Sequence, residues 1–245
     1  MTDEEISAGM VVIGDEILSG RTKDRNIGFV ADTLALIGID LEEVRIVSDR
    51  QAAIVEAVNA LRIRYTYVFT SGGIGPTHDD VTADAVSVAF ERECIYDPRA
   101  VDILAKAYGA RDIVFTDARK RMARMPEGSE LIENAVSSAP GFRVENVFVM
   151  AGVPKVMQAM MDAVVPTLRK GRPMISQTVE SSLPEGVIGQ PLSDVQEAHG
   201  ATMIGSYPQW TAGRFRTQIV VRGREREAVD AALADVRAMV RELGG

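Results

Sequence analysis

The sequence predicts an α/β fold: a mostly parallel sheet with helices on both faces, followed by a small α+β domain of ferredoxin-like type. Three observations carry that expectation. Up to Val165, short valine-rich apolar runs alternate with stretches whose apolar residues fall at helical spacing, the rhythm of a parallel sheet. A Lys/Arg/Gly/Pro stretch from Pro166 to Pro173 then breaks the pattern and reads as a linker. Beyond it a strand–helix–strand–strand–helix order restarts on a smaller scale. The expected domains are residues 1–170 and 171–245.

Taken in order, Ile6 to Ile13 is an apolar run that reads as a buried strand and stops at Gly14-Asp15-Glu16. From Asn26, the residues Ile27, Val30, Ala31, Leu34 and Ile37 follow helical spacing, with Gly38 as the stop. Ile39 to Val47 is a second strand, ending in Ser48-Asp49, and Ile54, Val55, Val58 and Leu61 mark the next helix. Tyr65 to Thr70 is a third strand that runs into Ser71-Gly72-Gly73-Ile74-Gly75-Pro76. Asp80 to Phe90, Pro98 to Tyr108 and Thr116 to Ala123 read as helices, and Val147 to Met150 as a strand before Ala151-Gly152-Val153-Pro154 and a helix from Lys155 to Val165. In the smaller domain, strands are expected at Met174–Val179, Ala201–Ser206 and Arg214–Val221, with helices at Pro184–His199 and Glu225–Leu243.

Composition narrows the function classes. With 27 Lys+Arg against 35 Asp+Glu, the net charge is −8, which lacks the basic footprint of a nucleic-acid-binding surface. The one cysteine, Cys94, excludes an internal disulfide and a thiolate-rich zinc site, and His78 and His199 are the two histidines. The acidic start Met1-Thr2-Asp3-Glu4-Glu5 is unlike a signal peptide, and no apolar run reaches membrane-spanning length. A cytoplasmic protein without membrane or nucleic-acid partners is expected.

In an open parallel sheet, ligands bind beyond the carboxyl ends of the strands. Those ends carry Asp15 and Glu16 after the first strand, Asp49 after the second, and Asp79 and Asp80 just past the glycine loop of the third. Glycines after a strand let the backbone approach a ligand, and successive amides can form an anion nest. The loop matches neither G-x-x-x-x-G-K-[ST] nor G-x-G-x-x-G, which excludes a P-loop NTPase and a Rossmann dehydrogenase by motif. Acids crowding a phosphate cradle call for a divalent cation, Mg²⁺ or another such as Mn²⁺ or Co²⁺, held by some of Asp15, Glu16, Asp49 and Asp80. That combination points to attack on a phosphoanhydride, with a nearby carboxylate, Asp80, as the candidate to take the proton from the attacking water.

Structural roles compete for the same residues. Thr77-x-x-Asp80 and Ser48-x-x-Gln51 both fit helix-capping patterns. The basic run Arg119-Lys120-Arg121 with Arg124 reads as a solvated helix face before it reads as a clamp on an anionic ligand. Trp210 and Cys94 read as packing residues, and His199 as a favourable contact at a helix end.

Gly14-Asp15-Glu16-Ile17-Leu18-Ser19-Gly20 together with Thr70-Ser71-Gly72-Gly73-Ile74-Gly75-Pro76-Thr77-His78-Asp79-Asp80 resembles the molybdopterin-binding, MoaB/Mog-like fold family. Within it the similarity is to the N-terminal domain of the competence/damage-inducible protein A (CinA) family and to the molybdopterin-binding-like domain of eukaryotic FAD synthases. Met125-Pro126-Glu127-Gly128, Ala139-Pro140-Gly141-Phe142 and Gly152-Val153-Pro154 agree with it, and Gly205-Ser206-Tyr207-Pro208-Gln209-Trp210 extends it on the FAD synthase side.

The resemblance implies a three-layer domain with its ligand over the glycine loop. It implies ligand contacts from Gly14, Asn26, Ser71, Gly72, Gly73, Ile74, Gly75, Pro76, Thr77, Gly152 and Pro154, and site aspartates at Asp49, Asp79 and Asp80. It further implies a metal-dependent pyrophosphatase that releases AMP from ADP-ribose or FAD, and a homo-oligomer, dimer or trimer. A molybdopterin- or nucleotide-binding module without turnover, or a molybdopterin adenylyltransferase, are the alternatives. The turn Ala151-Gly152-Val153-Pro154 departs from the family's Pro-Gly-Pro-Pro-like form, and neither an amidohydrolase nor an adenylyltransferase stretch is read in the chain.

Overall fold

The computed structural model describes residues 6–211 and 214–245; the acidic start at Met1–Glu5 lies outside the described residues. Contacts divide the chain into two compact units, Met1–Gly171 and Arg172–Gly245.

The first unit begins with β1 (Ile6–Ile13), a one-turn α1 (Asp15–Leu18), α2 (Asn26–Leu36), β2 (Ile39–Val47), α3 (Gln51–Arg62), β3 (Tyr67–Ser71) and α4 (Thr82–Ala89). There follow β4 (Cys94–Tyr96), α5 (Pro98–Gly109), α6 (Asp117–Lys120), β5 (Arg124–Pro126), β6 (Glu130–Ile132), β7 (Gly141–Val144), β8 (Val147–Met150) and α7 (Pro154–Val164). The main sheet has the order β2-β1-β3-β8-β7-β6. Its first four strands are parallel, and β7 and β6 close it in antiparallel fashion.

Side chains alternate across a strand, so β1 feeds two cores. Val11 and Ile13 pack on one face with Ile54, Val58 and Leu61 of α3, Val86 of α4 and Leu104 of α5. Met10 and Val12 pack on the other with Val30 and Leu34 of α2 and Met157, Met160 and Met161 of α7. Helices therefore cover both faces, and the result is three layers. Because β1 pairs with both β2 and β3, the connections leave it in opposite directions. The crevice outside the carboxyl ends of β1 and β3 is the switch point where such sheets bind ligands.

The strands β4, β5, β6 and β7 have no counterpart in the sequence reading, and the helix expected over Thr116–Ala123 is shorter, α6 followed by a 3-10 turn at Arg121–Ala123. Asp97 anchors α5 onto this region. Its buried carboxylate accepts from the backbone N–H of Arg99 (2.9 Å) and Ala100 (3.4 Å) and from the Arg99 guanidinium (3.0 and 2.7 Å). The Arg99 guanidinium, ahead of the backbone donors, holds its pKa below the ordinary carboxylate value. Asp97→Ala is expected to lose about 1–2 kcal/mol at neutral pH, a fall in Tm of about 2–8 °C. A depressed acid stabilises fully above its unfolded value near pH ~4, so the gap between wild type and variant should close as the pH falls through the folded value.

The second unit contains β9 (Ile175–Ser181), α8 (Glu185–Ala198), β10 (Thr202–Thr211), β11 (Arg214–Gly223) and α9 (Arg226–Glu242). The sheet order is β10-β11-β9, all antiparallel neighbours, which is the first three strands of a ferredoxin-like arrangement. Ile188 and Leu192 of α8 and Val229, Leu233 and Val236 of α9 bury its one apolar face against Ile219 and Val221. β10 runs through Pro208 to Thr211, five residues past the expected end at Ser206; as an edge strand it tolerates proline. His199 closes α8 with an Nε2 to Asp235 Oδ2 contact of 2.7 Å, a specific partner in place of a general dipole effect. Among the described residues, no helix is long and apolar enough to cross a membrane.

Candidate active site

A cleft of about 570 Å³ opens over the carboxyl ends of β1, β3 and β8. Its floor is Ile13, Gly72, Gly73, Ile74, Gly75 and Pro76, and Ala151, Gly152, Val153 and Pro154 form one side. Glu16, Asp49, Asp79 and Asp80 also line it, and among the described residues no lysine or arginine does.

The glycine loop is pinned from both sides. Gly72 donates its N–H to Met150 O (3.1 Å) and accepts at its carbonyl from Thr82 Oγ1 (3.0 Å), while Thr82 N–H reaches Gly73 O (3.0 Å). Gly73 has φ +67°, the left-handed region that favours glycine, and a Cβ there would lie 2.1 Å from Thr82 Oγ1. Asn26, buried at the start of α2, donates to Ser71 Oγ (2.7 Å) and Gly152 O (2.9 Å), tying the β3 and β8 loops together.

The acids are placed by these loops. Asp80 does not cap α4, whose N-cap is Val81 with no side-chain bond. Its Oδ2 instead accepts from Thr77 N–H (2.8 Å) and Thr77 Oγ1 (2.6 Å), against Gly75, where a Cβ would lie 2.6 Å away. The Ser48-x-x-Gln51 pattern likewise makes no cap: Arg50 holds that position and its Nε donates to Ser48 Oγ. Asp49 is thereby left to accept the Asp15 N–H at 2.8 Å. Burial, then the charges of Asp15, Glu16 and Asp79, raise the Asp49 pKa against the lowering effect of that N–H. Exposed Asp79 is held below the ordinary carboxylate value by hydrogen bonding at Thr77 and at its own N–H, with His78 adding to it.

The predicted positions thus separate. Gly72, Gly73, Ile74, Gly75, Pro76, Gly152 and Pro154 face the cleft, with Glu16, Asp49, Asp79 and Asp80. Gly14, Asn26, Ser71 and Thr77 are not among its lining residues; Asn26 and Ser71 brace the floor and Thr77 holds Asp80. Asp15 is exposed and gives the site its backbone N–H, where a carboxylate ligand was expected. The sequence reading missed Thr22, Met122, Ser137, Val156 and Met160. Ala139, which also lines the cleft, opens one of the stretches on which the family resemblance was read, the available signal for that wall.

These donors suit one kind of metal. No group of three His, Cys, Asp or Glu among the described residues could hold an ion by itself, so a zinc-type cage does not fit. A magnesium-type ion takes one or two carboxylates and completes its shell with water and phosphate oxygens. Asp49 and Asp80 each use Oδ2 within the protein and keep Oδ1 without a protein donor among the described residues, which fits that ion.

Residues 9–170 match the family described as "Probable molybdopterin binding domain", and residues 173–243 match "FAD synthase, middle domain". A protein of Aeropyrum pernix is 33% identical over 99% of this chain and 97% of its own. A probable FAD synthase of Caenorhabditis briggsae is 30% identical over 97% of this chain, which spans 49% of that protein. The structure of CinA from Thermoplasma acidophilum, 31% identical, covers 66% of this chain and 98% of its own with a TM-score of 0.61. Since the first match takes in the glycine loop and every acid-bearing loop around it, the chain belongs to the molybdopterin-binding domain family, in the part of it related to CinA and FAD synthase.

Proposed function

We propose that the chain hydrolyses a nucleotide pyrophosphate of the ADP-ribose or FAD type, releasing AMP and a second phosphate ester. The observation that supports this is one cleft holding an amide-rich glycine loop and four carboxylates, with no basic side chain among the described residues on its walls. The loop amides of Gly73, Ile74 and Gly75 bind and orient a phosphate, the Gly72 N–H being taken by Met150 O. Asp80, fixed by Thr77, orients a water molecule and takes its proton as the water oxygen bonds to phosphorus and the bridging P–O bond breaks. The departing phosphate ester keeps the bridging oxygen. Pro154 and Val153 at the start of α7, with Met122 and Met160, give the cleft an apolar wall suited to a base or isoalloxazine ring.

Asp49 and Glu16, beside Asp80, would hold a divalent ion of the Mg²⁺, Mn²⁺ or Co²⁺ class; bound there, it supplies charge neutralisation and polarises the phosphoryl group. Purified protein incubated with ADP-ribose or FAD should release AMP when one of these metals is supplied and not when EDTA is in excess. Without release under any metal, the site is a binding module for a pterin or nucleotide, the reading that the family description favours. ATP consumption that depends on added molybdopterin would identify an adenylyltransferase instead. A homo-oligomer, dimer or trimer, is proposed alongside, to be read from light scattering of the eluted protein.

A further inference from the structure

The acidic cleft leaves a charge problem, and the basic run beside it answers that problem in an uneven way. Three of its four cations are occupied. Arg119 lies over Tyr108 and donates to Val114 O, and Lys120 lies over Tyr96. Arg124 makes a two-pronged pair with Asp84. Arg121 alone of the four has neither an ion pair, a side-chain hydrogen bond nor a ring contact among the described residues, and its Nε is buried. A buried donor without an acceptor calls for an explanation, because native structures pair nearly all of them.

Its position supplies one. Arg121 and Arg124 line a small cavity of about 10 Å³ whose other walls include Gly73, Ile74, Gly75 and Asp80. Those four residues also line the main cleft, so the glycine loop separates the ligand space from the guanidinium behind it. The space is that of a single water molecule, which lets the charge act across the loop without room for a phosphate to enter. Arg124 is paired with Asp84, which leaves Arg121 as the cation of this wall without a partner of its own, on the same cavity as Asp80.

We propose that Arg121 is the phosphate-binding counter-charge of this site: its unpaired guanidinium, set behind the glycine loop, draws the pyrophosphate of the ligand onto the loop amides. This rests on the pyrophosphate reading of the cleft. It also accounts for how an acidic cleft admits an anion, with the counter-charge placed on the wall that the glycine loop shares with Asp80. An arginine suits the task because it stays charged at every working pH.

The test is calorimetric titration of the intact protein with α,β-methylene-ADP, a pyrophosphate analogue that is not cleaved, in wild type, Arg121→Met, Arg121→Gln and Arg121→Lys. Both neutral variants should bind about tenfold or more weakly, the scale of one charge acting through a partly buried wall. Arg121→Lys should stay within about threefold of wild type, since the charge is kept. Raising the salt concentration should weaken wild type more than the neutral variants. Neutral variants that are folded by circular dichroism and bind as wild type does would overturn the role of Arg121 alone. If Arg121→Lys binds as poorly as they do, the residue shapes the loop by packing and the charge proposal fails. A wild type that binds no analogue at all overturns the pyrophosphate reading itself, and this inference with it.

Discussion

Asp80→Asn is expected to lower kcat for AMP release by about 10²–10⁴-fold, the usual worth of a positioned general base, while KM and Tm barely move. The asymmetry follows from how Asp80 is held. Its Oδ2 accepts two bonds from Thr77, one from the backbone N–H and one from the hydroxyl. An asparagine carbonyl oxygen can accept both, so the turn from Pro76 to Asp80 keeps its shape against Gly75. What the amide cannot do is take a proton from water or carry negative charge at the remaining oxygen. Turnover at the wild-type rate would remove Asp80 from the chemistry. A clear fall in Tm together with a rise in KM would instead assign it to the architecture of the loop. Thr77→Val provides the complementary reading: it removes the 2.6 Å hydroxyl bond but keeps the carboxylate, so a smaller loss of kcat is expected.

The parts of this molecule that were legible in the sequence are those with a period long enough to read. Ile6–Ile13, Ile39–Val47 and Val147–Met150 are strands with the expected bounds; β1 and β8 are buried along nearly their whole length, as inner strands are, whereas β2 is a partly buried edge strand. The α9 helix spans Arg226–Glu242 where heptad-like spacing of apolar residues indicates it. The four strands β4 to β7 were not legible: each has three or four residues, too few to show alternation, and β4 pairs with β5 some thirty residues further along the chain. β10 runs past its expected end at Ser206 because an edge strand leaves one side of its backbone unpaired and accommodates Pro208.

The site divides along the same physical line. Acids at the ends of successive strands must converge in a parallel sheet, so Glu16, Asp49, Asp79 and Asp80 on one cleft could be foreseen from topology. Which side chains face the ligand and which support the floor could not, since that depends on local bonds. Asn26 reads as one more polar residue at a helix start until its amide is seen to span Ser71 and Gly152. Arg121 sits in a run of charges whose default fate is solvent, and three of its four members do find ordinary surface partners. The capping patterns around Thr77 and Ser48 misled for a related reason: a side chain four bonds from a helix N–H can as readily brace a loop, and tight packing against Gly75 decides for Asp80.

Gly72→Ala is expected to lower stability by about 3 kcal/mol or more, combining backbone strain with a clash that nothing nearby can relieve, and to abolish ligand binding. Gly72 has φ +111°, and a Cβ built on it would stand 2.2 Å from the carbonyl oxygen of Ile13. That oxygen belongs to the backbone at the end of β1, in the middle of the sheet, and a strand hydrogen-bonded on both edges cannot withdraw by an ångström. Nor can Gly72 move away: its N–H is bonded to Met150 O and its carbonyl to Thr82 Oγ1, and Gly152 lies against its Cα. For a domain of this size the Tm should fall by about 6–12 °C. Gly20→Ala is the matched control, with φ +72° and no atom within 4 Å of the new Cβ, so it carries the backbone penalty of about 1 kcal/mol without the clash. If the two variants melt together, the close approach of the glycine loop to β1 contributes nothing to stability. If Gly72→Ala alone falls, and Mg²⁺ with α,β-methylene-ADP no longer raises its Tm, then the contact that fixes the loop on the sheet is also the contact that shapes the phosphate cradle.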